Sequence, residues 1–111
     1  MDKIIELENA EQLESFRESD NICVVDCYAD WCGPCKRVMP VFKKIADDFE
    51  NEAVTFYKLK IDLRDSNIQE FVEEVGIEFI PLFLICRKGK ILEKVEDINN
   101  LSDRIRSEMK G

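Results

Sequence analysis

Two cysteines with two residues between them, in Trp31-Cys32-Gly33-Pro34-Cys35-Lys36, are the residues best suited to chemistry in this chain. That spacing brings the second thiol within one helical turn of the first. From there it can close a small disulfide ring or attack a mixed disulfide formed on its neighbour. The segment lies between an apolar strand and a long amphipathic pattern, so Cys32 is expected at a helix N-terminus. Unpaired N–H groups and the partial positive charge of a helix start favour thiolate over thiol, which makes Cys32 a nucleophile near neutral pH. Cys35 is then the resolving thiol. Pro34 sets φ at the helix start without removing a needed N–H, and Gly33 lets the tight loop form and leaves the sulfur accessible. The pattern predicts reversible dithiol–disulfide exchange.

Asp26 is the second candidate. It sits between Val25 and Cys27 in a run, Ile22 to Tyr28, that otherwise reads as a strand buried on both faces. Burial there desolvates the carboxyl and raises its pKa. A carboxylate titrating near neutrality can take the Cys35 proton through a water and free that sulfur to attack. The alternative is a strand-end aspartate facing solvent. Cys23, Cys27 and Cys86 fall in buried strands, where free cysteine behaves as a small apolar residue. A competing arrangement joins Cys23, Cys27, Cys32 and Cys35 as a metal or iron–sulfur site, but a strand is a poor ligand knuckle and Asp26 would be left without a role. Glu70, Glu73, Glu74 and Glu78 read as a solvated helix face.

Composition narrows the chemistry further. The 111 residues carry 16 Lys and Arg against 24 Asp and Glu, a formal charge of −8, and no histidine. Without histidine there is no Cys-His or Ser-His nucleophile, no HExxH zinc helix and no histidine-ligated haem. No basic stripe suits a phosphate backbone, so nucleic acid is not an expected partner. Met1 to Glu8 is too acidic and too briefly apolar for a signal or transit peptide, and the charge-free run Phe79 to Cys86 is less than half a membrane span. The expectation is a cytoplasmic protein with no membrane association, in a reducing compartment where most thiols stay free. One domain spanning 1–111 is expected, and a chain of this length can bury roughly two-thirds of its unfolded surface.

The elements that must position these residues follow from periodicity. Ile4, Ile5 and Leu7 suggest a first strand, and Asn9 with Gln12 resembles a capping box opening a helix that buries Leu13 and Phe16. From Cys35, apolar residues at offsets 3, 4, 7, 10, 11 and 14 mark a long helix, with Pro40 expected to kink it. Val54 to Ile61 reads as a third strand. Ser66, three residues before Gln69, is expected to cap the next helix, which Gly76 ends. Leu82 to Cys86 is a buried strand, Lys88-Gly89 a hairpin turn and Ile91 to Val95 the antiparallel return. Asn100 is expected to open a last helix. The order β-α-β-α-β-α-β-β-α predicts an α/β sandwich, a parallel core extended by an antiparallel hairpin, with helices on both faces.

Val25-Asp26-Cys27-Tyr28-Ala29-Asp30-Trp31-Cys32-Gly33-Pro34-Cys35-Lys36, then Met39-Pro40, Lys58 with Asp62, Gly76 with Ile80-Pro81, and Lys88-Gly89 together resemble the thioredoxin family over essentially the whole chain. The resemblance implies the thioredoxin fold, a central mixed five-stranded sheet flanked by four helices on both faces. It implies protein-disulfide reductase activity in cell redox homeostasis and electron transport. It gives Asp26 the proton-transfer role, with Lys58 near it, and makes Pro81 a cis proline facing the cysteine pair; on residue type alone, Pro81 would be a trans proline opening a strand. Trp31, Gly33, Pro34, Ile80 and Pro81 would then line the target site, with the backbone before Pro81 pairing to the target. No bound cofactor is implied. Electrons would come from NADPH through thioredoxin reductase, the other partners being disulfide-containing proteins, and the chain would act as a monomer. Three positions depart from the family pattern: Tyr28 replaces a common tryptophan, Leu82 a threonine, and Asp97, or its neighbour Glu96, a glycine lining the target groove. A carboxylate at that rim should disfavour acidic targets. The rival readings are an oxidase or isomerase of the same fold, against which Gly-Pro resembles the reducing branch, and a docking or assembly module using the groove without redox chemistry.

Overall fold

A computed structural model describes residues 3–111; Met1 and Asp2, part of the segment judged against a signal peptide, lie outside the described residues. The chain runs β1 (Ile4–Glu6), α1 (Ala10–Glu18), β2 (Ile22–Tyr28), α2 (Gly33–Asp48), β3 (Val54–Lys60), α3 (Ser66–Val75), β4 (Leu82–Arg87), β5 (Lys90–Val95), a 3-10 turn (Ile98–Asn100) and α4 (Leu101–Lys110). One sheet takes the order β1-β3-β2-β4-β5. β3 lies parallel to both β1 and β2, while β4 is antiparallel to β2 and β5. This is the mixed five-stranded sheet expected from the sequence.

Alternation along the central strands splits the core into two layers. Cys23, Val25 and Cys27 pack with Leu13, Phe16, Ile68 and Phe71, so α1 and α3 cover that face. Val24, Phe56 and Phe83 pack with Phe42, Ile45, Phe49, Leu101 and Ile105, which places α2 and α4 on the other. The rings of Phe42 and Phe56 meet edge-on at 5.6 Å, and Phe42 stacks on Phe83 at 5.8 Å. Every second residue of β2 therefore faces α2, Asp26 among them.

The helix ends show how local chemistry sets the boundaries. Asn9 caps α1 by accepting from the Gln12 N–H at 3.0 Å, and Gln12 Oε1 accepts from the Glu8 N–H at 2.6 Å. Pro40 lies inside α2, as the sequence placed it. For α3 the expected cap is corrected by one residue: Asp65, not Ser66, accepts from the Asn67 and Ile68 N–H groups at 3.0 and 3.1 Å. A carboxylate accepts these charge-assisted bonds better than a hydroxyl. Gln69 instead donates to the Ile61 and Leu63 carbonyls, tying the preceding loop down. Gly76 closes α3 at φ 70°. Asn100 makes no side-chain cap. It is the last residue of the 3-10 turn that leads into α4, and Asp97 caps that turn by accepting from the Asn99 N–H at 2.9 Å. At the β4–β5 hairpin, Lys88 and Gly89 both have positive φ, 53° and 75°, and a Cβ at Gly89 would come within 3.0 Å of Arg17 Cγ.

Candidate active site

β2 ends at Tyr28, and a tight turn follows in which the Cys32 N–H donates to the Ala29 carbonyl at 3.2 Å. That turn makes Cys32 the N-cap of α2. Its Sγ accepts from the Cys35 N–H at 3.2 Å, the place a serine or aspartate oxygen would take in an ordinary cap. The two cysteines form a disulfide with their Cα atoms 5.3 Å apart. Cys32 is 6% exposed and Cys35 2%, so the sulfur at the helix start is the more accessible of the pair. When the pair is reduced, the orphan N–H groups of the first turn lie against the Cys32 sulfur and favour its thiolate. Gly33 has no positive φ, and a Cβ there would meet only the Arg37 guanidinium at 3.5 Å, an ordinary contact. The loop therefore does not require glycine for its backbone. What the missing side chain does is leave the exposed surface beside the sulfur bare.

Ala29, Cys32 and Cys35 form a small apolar cluster against which Tyr28, Ile61 and Ile80 pack. The Ile80-Pro81 peptide is cis, as the resemblance implied, and Ile80 carries it to the edge of the disulfide. Trp31 is 70% exposed, with its indole Nε1–H donating to Asp62 Oδ2 at 3.1 Å. Glu78 and Phe79 separate two shallow recesses. One is bounded also by Trp31, Ile61 and Ile80, the other by Leu82, Lys94 and Glu96. Of the two rim carboxylates, Glu96 borders the second recess, whereas Asp97 holds the 3-10 turn and lies in a neighbouring recess with Asn100 and Arg104.

Asp26 is fully buried, and neither carboxyl oxygen has a hydrogen-bond partner among the described residues. Desolvation lifts its carboxyl to about 7, against the opposing pull of the Lys58 ammonium. Lys58 is its register partner on β3. A buried acid that titrates near neutrality can both accept and return a proton at physiological pH.

Cys23, Cys27 and Cys86 are free and fully buried. Burial raises all three, Cys86 to about 12, so they remain protonated and unreactive in the native fold. They belong to the core layer under α1 and α3, away from the disulfide cluster, and so do not assemble with Cys32 and Cys35 into one ligand set.

Sequence reasoning gave no role to Asp62, Glu6 or Phe79. Asp62 stood in the matching pattern, so its tether to Trp31 had a signal; the place of Glu6 depends on strand register and had none.

The thioredoxin family model matches residues 3–110. The chain is 35% identical over 85 residues to "Thioredoxin" of Malassezia sympodialis, covering 77% of each. It is 32% identical over 88 residues to "Thioredoxin H4" of Arabidopsis thaliana, covering 79% of this chain and 70% of that one. Among solved structures, thioredoxin from Trypanosoma brucei brucei superposes with a TM-score of 0.83 at 29% identity, over 97% of this chain and 92% of the other. With a family model spanning nearly the whole chain and relatives of this identity, the chain belongs to the thioredoxin family, and its Cys32–Cys35 pair is the redox centre of a thiol–disulfide oxidoreductase that reduces protein disulfides.

Proposed function

We propose that Cys32 attacks the target disulfide, Cys35 resolves the resulting intermediate and Asp26 manages the Cys35 proton. The observation that carries this reading is a dithiol pair closed at the N-terminus of α2, on the sheet face where the unpartnered carboxyl of Asp26 is buried. In the first step the Cys32 thiolate bonds to one target sulfur and the target S–S bond breaks, releasing the other sulfur as thiolate. In the second, Cys35 gives its proton to the Asp26 carboxylate, and the Cys35 thiolate attacks Cys32 Sγ. The Cys32–target bond breaks, and the departing thiolate is protonated from Asp26 through solvent. Two electrons pass to the target, and the protein is left with the Cys32–Cys35 disulfide.

Trp31, Gly33, Pro34, Ile80 and Pro81 form the surface on which a target would lie, with Glu96 or Asp97 at its rim and Lys58 supporting Asp26. The exposure of Trp31, Gly33 and Pro34 and the packing of Ile80 on the cysteine pair support that assignment. The protein itself needs no bound cofactor for these steps. The electrons that reopen the disulfide come from NADPH through thioredoxin reductase, and the partners are that reductase and disulfide-bearing proteins, met by a monomer. A cytoplasmic site of action fits three thiols that stay unpaired, Cys23 and Cys86 among them although they are register partners.

NADPH-coupled insulin reduction tests the reading. Cys32→Ser should abolish turnover, and Cys35→Ser should trap a mixed disulfide on Cys32 and stop after one attack. Turnover surviving in Cys32→Ser would overturn the mechanism.

A further inference from the structure

Three strands place three charges in a row. Glu6 on β1 is the register partner of Lys58 on β3, and Lys58 is the register partner of Asp26 on β2. Neighbouring strands lie about 4.8 Å apart, so Lys58 stands between two acidic residues whose backbones are about 10 Å apart across the sheet. All three residues point to the α2 face: Glu6 is two residues from Ile4, Lys58 two from Phe56 and Asp26 two from Val24, each part of that core layer. Lys58 Nζ lies 3.8 Å from Glu6 Oε1. The other oxygen of Glu6 accepts a hydrogen bond from the Tyr28 hydroxyl, which fixes the carboxylate from β2. The next cation along β3, Lys60, pairs with Asp30 at 2.7 Å and also senses the Glu6 charge.

We propose that Glu6 is a positioning residue for the release step: held by Tyr28, it draws the Lys58 ammonium toward the sheet edge and so sets how readily Asp26 takes the Cys35 proton. The inference rests on the role given to Asp26 above. Two physical effects act in the same direction. Glu6 competes for Lys58, the cation that among the described residues stabilises ionised Asp26, and its own negative charge disfavours a second one nearby.

Among the described residues, the charged neighbours from β3 are Lys58 and, two residues on, Lys60. On β2 Tyr28 shares this face and senses the Asp26 charge, while Cys27 senses it from the opposite face. Burial, and then the bond to Glu6, push the Tyr28 phenol up, so it stays a neutral donor. β4 presents Phe83 opposite Asp26, while α2 and α4 pack this face with Phe42, Ile45, Leu101 and Ile105. Cys35, at the start of α2, is the thiol whose proton is in question.

The test titrates the Asp26 carboxyl by carbon-detected NMR in the wild type, Glu6→Gln and Glu6→Asp, and follows the pH dependence of mixed-disulfide resolution by stopped flow. Glu6 is half-buried, and the isosteric amide keeps an acceptor for Tyr28. In Glu6→Gln the Asp26 midpoint should move down by roughly half a pH unit, the size expected for one charge about 10 Å away along a partly solvated path. The acid limb of the resolution profile should follow it down, and Glu6→Asp, which keeps the charge, should stay near the wild type. An unmoved or raised midpoint in Glu6→Gln overturns the role of Glu6 and leaves the Asp26 assignment standing. A midpoint that moves while the resolution profile does not overturns Asp26 as the proton acceptor, and the positioning role falls with it.

Discussion

Asp26 couples function to stability. Its carboxyl titrates at about 7 in the folded protein, whereas an unburied aspartate has the reference value of 3.8. The folded-state pKa is raised, so the contribution to stability is complete below pH ~4 and is lost as pH rises through about 7. Over that window the folded state holds one more proton than the unfolded chain. The difference corresponds to on the order of 4 kcal/mol. Asp26→Asn should therefore raise stability at pH 8 by a few kcal/mol and have little effect near pH 4, measured by urea unfolding at both values. A substitution that destabilises the fold equally at both pH values would show that Asp26 has a structural role instead. The same change should slow release of reduced target, so the residue trades stability for proton transfer. Much of this site was legible from residue type alone. Cys32, Cys35 and Asp26 stand close in sequence, and a charge inside an apolar strand is conspicuous in one dimension. Glu6 and Lys58 were not legible as a pair, because they meet only through the parallel pairing of β1 with β3, and nothing local marks that register.

At the scale of elements, the long periodic helices and the hairpin could be read directly, while their ends depended on choices between adjacent residues. Asp65 and Ser66 are both good caps, and the structure uses the first. Asp65→Ala should cost about 1 kcal/mol and lower the melting temperature by about 4 °C. Ser66→Ala should stay within about 0.5 kcal/mol. A larger loss from Ser66→Ala than from Asp65→Ala would return the cap to Ser66. The rim position near β5 was uncertain by one residue for a related reason. The register of β4 with β5 shifts between Ile85 and Cys86, and counting along the chain does not register such an irregularity. Gly33 shows the converse: its effect lies in the bare surface it leaves on α2, not in an unusual backbone angle.

For the molecule as a whole, a charge of −8 biases every encounter. Trp31 and Phe79 supply an exposed apolar surface beside the disulfide, with Asp62, Glu78 and Glu96 around it. Long-range repulsion should slow reduction of acidic targets and screening should relieve it, so rates with an acidic disulfide peptide rise with ionic strength and those with a basic one fall. Glu96→Gln should narrow the gap between the two peptides. Equal salt dependence for both in the wild type would rule out electrostatic selection at this surface. The three silent thiols have a separate consequence. Cys23 and Cys27 in β2 and Cys86 in β4 lie in the middle of the sheet, fully covered, so an alkylating reagent reaches them only when the central strands come apart. With the active-site pair closed as a disulfide, the pace at which mass increments appear on those three is a clock for global opening, free of the catalytic chemistry, so one chain carries both the redox centre and an internal gauge of its own unfolding.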